Sequence, residues 1–67
     1  MRDITDAGAV SWLSFRTGVR GDRVLAVLVE LSNLLREIRG SGQDTRVFLG
    51  SLTVIYKASE DKFYVYI

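Results

Sequence analysis

The sequence predicts an α+β fold: a helical hairpin packed on one face of a three-stranded antiparallel β-meander. Two observations carry this. Apolar residues recur at three- and four-residue steps between two glycine-marked breaks, Gly18–Gly21 and Gly40-Ser41-Gly42, which is the period of one helix face. The last third, Asp44 to Ile67, is rich in Val, Ile, Phe, Thr and Tyr and broken by two short turns, as strands require. No internal repeat or linker divides the chain, so residues 1–67 are expected to form a single small domain.

The first segment has two readings. Asp3 is a candidate N-cap, Asp6 suits a first turn, Ala7, Ala9, Trp12 and Leu13 are compatible with a helix, and Gly18 can close it. This predicts a helix over about 4–16, with a strand over Ser11–Thr17 as the alternative. The second helix, over 22–39, takes Asp22 as its N-cap and Gly40 as the left-handed residue after its end. Val24, Val27, Leu28, Leu31, Leu34, Leu35 and Ile38 form its apolar face, and Arg36 and Arg39 complement the dipole at its C-terminus. Leu25 and Val29 lie off this stripe and widen the apolar arc.

Strands are expected over about 45–49, 52–57 and 62–67. Gly50-Ser51 suits a two-residue type II′ turn, with glycine first. That turn sets Leu49 opposite Leu52 and Val47 opposite Val54. A four-residue loop over 58–61 sets Tyr56 opposite Phe63, Val54 opposite Val65 and Leu52 opposite Ile67. The two registers agree. One sheet face then carries Leu49–Leu52–Ile67, Val47–Val54–Val65 and Thr45–Tyr56–Phe63, the kind of surface a helix covers. The other carries Phe48–Thr53–Tyr66, Arg46–Ile55–Tyr64 and Asp44–Lys57–Lys62.

Composition narrows the chemistry. The chain has no Cys, His or Pro. That removes disulfides, thiolate zinc sites and both Ser–His and Cys–His nucleophile systems. The acids are scattered: Asp3 and Asp6 near the start, Glu30 and Glu37 two helical turns apart, and Glu60-Asp61 in a turn. No catalytic, cofactor-binding or metal-binding residue is assigned, and a non-enzymatic protein is expected. Gly18-Val19-Arg20-Gly21 follows no strand and is no phosphate loop. Nine Lys and Arg against eight Asp and Glu give a net charge of +1, too balanced for a protein that coats DNA. The longest apolar run, Val24–Val29, is far shorter than the ~20 residues that span a bilayer. Met1–Asp6 holds two acids and no apolar core, unlike a signal peptide. A cytoplasmic location away from membranes is therefore expected. Single Asn, Gln and Met residues and no Cys make up a composition that thermophile proteins share.

Candidate surfaces follow from the second sheet face. A solvated face is mostly polar, yet Phe48, Ile55, Tyr64 and Tyr66 share this one, rimmed by Arg46, Lys57 and Lys62. Three readings stay open: a self-association face, ordinary cross-strand pairing of β-formers, and a platform that stacks bases and holds phosphates. Arg16, Arg20 and Arg23 bracket the turn between the helices and form a candidate anion site. Size favours self-association. Below about 70–80 residues one core rarely supplies more than roughly 3–5 kcal/mol, and 48% of this chain is hydrophobic. A homodimer or small oligomer built through Leu25, Val29, Phe48, Ile55, Tyr64 and Tyr66 is expected, by packing of the aromatic face, with edge-to-edge pairing of the open edge strands as a second route. A different protein as partner, and a nucleic-acid-associated regulator, are the alternatives.

With these elements in order, Trp12-Leu13, the turn and the Arg23–Leu31 helix resemble the helical hairpin of the RelE/ParE superfamily of small bacterial and archaeal toxins. Arg46-Val47-Phe48-Leu49-Gly50, Thr53-Val54-Ile55-Tyr56 and Phe63-Tyr64-Val65-Tyr66-Ile67 resemble that family's meander. The family's opening strand and its basic, aromatic tail have no counterpart, and Thr53 stands where a basic residue is common. The resemblance therefore implies a stripped-down relative without the family's ribonuclease activity.

Overall fold

The computed structural model describes residues 1–67. Its elements are α1 (Asp6–Thr17), α2 (Gly21–Ser41), β1 (Thr45–Leu49), β2 (Leu52–Lys57) and β3 (Lys62–Tyr66). The three strands form one antiparallel sheet in the order β1-β2-β3, so the chain is α+β. The residues group into two compact units, Met1–Ser32 and Asn33–Ile67, and the boundary falls inside α2.

In the first unit the helix reading of the N-terminal segment holds, with a shifted start. Thr5, not Asp3, is the N-cap: its backbone is extended, and its hydroxyl accepts the Gly8 N–H at 3.2 Å. Asp6 then lies in the first turn, where its charge favours the helix dipole. Gly18 ends α1 at φ 72°, donating its N–H to Ser14 O at 2.9 Å. The connection to α2 is stitched by hydroxyls. Ser14 Oγ donates to Val19 O at 2.6 Å, and Thr17 Oγ1 accepts the Val19 N–H at 3.2 Å.

Helix α2 starts one residue before the expected position. The Arg20 carbonyl accepts the first N–H bonds, from Arg23 and Val24, both at 3.0 Å. Asp22 is thus inside the first turn instead of capping it. At the other end Gly40 is helical and Gly42 takes the left-handed turn, at φ 68°. Ser41 Oγ donates to Ile38 O at 2.7 Å and accepts the Gln43 N–H at 3.3 Å, which carries the helix past Gly40. Within this unit Val24 is buried, Leu13 and Leu28 are half-buried, and Trp12 and Phe15 are exposed. Val27, expected on the buried stripe, is 66% exposed, and Leu34, in the second unit, is exposed as well.

In the second unit both expected registers are present, from Leu49↔Leu52 to Thr45↔Tyr56 and from Thr53↔Tyr66 to Lys57↔Lys62. Gly50 has φ 63° and no other residue of that turn has positive φ, as a type II′ turn requires. Burial is greatest on the central strand, at Val54 and Tyr56, and at Ile38 of α2. Filling such a position removes a valine side chain from water, worth roughly 1.5–3 kcal/mol. The edge strand differs. Phe63 is at the margin of exposure, Val65 is 59% exposed, and Ile67 lies beyond β3 and is fully exposed. Val65 and Ile67, expected in the helix-facing rows, are therefore left uncovered.

Candidate functional site

The expected second face forms as a surface. Arg46 and Phe48 come from β1, Thr53, Ile55 and Lys57 from β2, and Lys62, Tyr64 and Tyr66 from β3, in the rows Phe48–Thr53–Tyr66, Arg46–Ile55–Tyr64 and Lys57–Lys62. Phe48 is 68% and Tyr66 55% exposed, whereas Ile55 and Tyr64 are half-buried. Two of the three rim cations lie over rings. The Arg46 guanidinium lies 5.9 Å from the Phe48 centroid and the Lys57 ammonium 5.5 Å from that of Tyr64. Lys57 and Lys62 are direct cross-strand partners, and like charges there repel. The contact with Tyr64 gives Lys57 an attractive alternative. The Tyr64 hydroxyl donates to Glu60 Oε1 at 2.9 Å. That bond first, and desolvation second, raise its pKa above the ordinary phenol value and keep it a donor. Asp44 does not join the lysine row: its carboxylate accepts the Ala58 N–H at 2.8 Å and holds the loop before β3.

The other face carries a cluster that sequence reading missed. Asp61, at φ 51°, ends the loop between β2 and β3. Its carboxylate accepts Arg39 Nε at 2.9 Å and Arg39 Nη2 at 2.8 Å, and also the Tyr56 hydroxyl at 2.8 Å. The Arg39 bonds, then the Tyr56 bond, hold the Asp61 carboxyl below its usual value. The bond to Asp61 likewise raises the Tyr56 phenol. The Tyr56 ring meets Phe63 at 4.8 Å, tilted by 41°. The signal for this cluster was present: the register placed Tyr56 next to the loop, and aspartate is one of the few residues that tolerate left-handed backbone.

The remaining expected residues are dispersed. Leu25 and Val29, one turn apart on α2, are both exposed. Arg16 stacks on Trp12 at 5.2 Å and Arg20 pairs with Asp22 at 3.3 Å, so the expected anion cluster has two of its members engaged within the chain. Arg23 is exposed. A concavity of about 650 Å³ lies along α1, lined by the N-terminal segment and Gly8, Ala9, Trp12 and Leu13. No group of three Asp or Glu residues is placed to hold a metal ion. No helix is long and apolar enough to cross a membrane.

The fold and the surface define a small α+β protein whose most conspicuous feature is an open antiparallel sheet with apolar residues on both faces. Comparison with protein-family models, with curated proteins and with solved structures finds no match, so nothing there bears on the resemblance to RelE/ParE toxins.

Proposed function

We propose that this chain is a non-catalytic protein–protein interaction module that works as a homodimer. The observation that carries the reading is a sheet with apolar and aromatic side chains in water on both faces: Phe48 and Tyr66 are 68% and 55% exposed on one, and Val65 is 59% exposed on the other. Exposed apolar patches mark interaction sites, and aromatic side chains are enriched at protein interfaces.

Light scattering at micromolar concentration tests the reading. The expected mass is twice the 7.5 kDa of one chain. A monodisperse monomer overturns it. Titration with a labelled single strand at low salt tests the competing use of Arg46, Lys57, Lys62, Tyr64 and Tyr66. Binding that falls steeply with salt and is lost in Lys57→Ala or Lys62→Ala would replace a protein partner with nucleic acid.

A further inference from the structure

Resting on the homodimer reading, we infer that two copies join through β3, edge to edge and antiparallel, with Tyr64 on the two-fold axis, to make one six-stranded sheet. Leu49 and Leu52 close a two-residue turn, and such a closing pair is hydrogen-bonded. Hydrogen-bonded and non-hydrogen-bonded pairs then alternate along an antiparallel ladder. Val47↔Val54 and Thr45↔Tyr56 are hydrogen-bonded pairs by this count, so Val54 and Tyr56 turn their backbone groups toward β1. Thr53, Ile55 and Lys57 turn theirs toward β3, where they meet Tyr66, Tyr64 and Lys62. The N–H and C=O groups of Phe63 and Val65 therefore point outward, off the sheet.

A two-fold axis at Tyr64 sets Phe63 of one chain opposite Val65 of the other. Both residues present outward backbone groups, and the pair can exchange hydrogen bonds twice around the axis. Lys62 falls opposite the second copy's Tyr66, a cation against a ring, and no like charges meet. The row Tyr56–Phe63 continues into the second copy's Val65. Tyr64 meets Tyr64 at a non-hydrogen-bonded position, where side chains lie closest.

The structure favours this edge over β1. On β1 the exposed side chains, Arg46 and Phe48, lie on one face, while Thr45, Val47 and Leu49 are half-buried. On β3 apolar side chains are exposed on both faces, with Val65 and Tyr66 more than half exposed. A partner laid on one face would leave the other uncovered, whereas an added strand gives neighbours to both. Edge strands that avoid pairing carry prolines, bulges or central charges. β3 has none of these, and its single charge, Lys62, stands at its first residue.

Cysteine cross-linking tests the seam, because the native chain contains no cysteine. At a non-hydrogen-bonded antiparallel pair the Cα atoms lie about 4.5 Å apart, within disulfide range. Oxidised Tyr64→Cys should run at twice the chain mass without reductant, and Phe48→Cys should not. Tyr64→Lys and Tyr64→Glu should each be monomeric alone and form a mixed dimer together, since the substituted residues face one another. A wild-type dimer in which Phe48→Cys cross-links and Tyr64→Cys does not overturns the seam and keeps the homodimer. Dimeric Tyr64→Lys overturns the seam in the same way. A wild-type monomer overturns both.

Discussion

Asp61 does three jobs at one position. It adopts the left-handed backbone that ends the loop before β3, it receives a two-bond ion pair from Arg39, and it accepts the Tyr56 hydroxyl. The ion pair is partly open to solvent, so its worth is discounted for screening. Its pH dependence has a definite sign. The Asp61 carboxyl is held below its usual value in the folded chain. The stabilisation is therefore complete above about pH 4, the range of an unfolded aspartate, and is lost as pH falls through the lower folded value. Asp61→Asn keeps a residue that tolerates φ 51° and removes the charge. It should lower Tm at neutral pH and flatten the acid decline of Tm below about pH 4. Parallel Tm profiles for the two proteins would show that the cluster does not couple to folding.

At the scale of an element, the end of α2 separates two glycines that look alike in sequence. Gly40 is helical with open space where a Cβ would stand, whereas Gly42 sits at φ 68°. Gly40→Ala should therefore stabilise the chain by about 0.5–1 kcal/mol, by removing the entropic cost of glycine inside a helix. Gly42→Ala should destabilise it by about 1–2 kcal/mol, because a side chain is strained there. Thermal melts of the two variants moving in opposite directions would support the assignment, and the reverse pattern would return the cap to Gly40. The same end of the helix shows why stop signals are read poorly from residue type. Gly40-Ser41-Gly42 offers two glycines, and the choice is made by Ser41, whose hydroxyl satisfies the Ile38 carbonyl and lets the helix run on.

For the whole molecule, the proposed homodimer would make folding and association one equilibrium. If the chain is stable only as a dimer, Tm depends on concentration by mass action. With twice 67 residues unfolding together, each tenfold increase in concentration should raise Tm by about 5 °C. A Tm constant over two decades would mean that the apolar edge and faces of the sheet are tolerated in water by a monomer. Differential scanning fluorimetry across that range distinguishes the cases.

The α+β class, the order of elements and the strand register were all legible in the sequence alone. Each depends on short-range arithmetic: a three-to-four-residue apolar period in α2, a two-residue turn at Gly50-Ser51 and a four-residue loop at 58–61, whose two registers had to agree on β2. The mixed face of Phe48, Ile55, Tyr64 and Tyr66 followed from the same count. Tertiary structure decided what such counting cannot reach. It chose Thr5 over Asp3 and Gly42 over Gly40, because capping depends on which side-chain oxygen reaches which backbone group. It joined Asp61 to Arg39, 22 residues away, because the ion pair needs both the helix end and the loop conformation in place. It also left Val65 and Val27 in water although their positions have the period of buried residues. Periodicity says which side chains share a face, but burial requires neighbouring atoms to cover that face, and those are supplied by distant parts of the fold or by another chain.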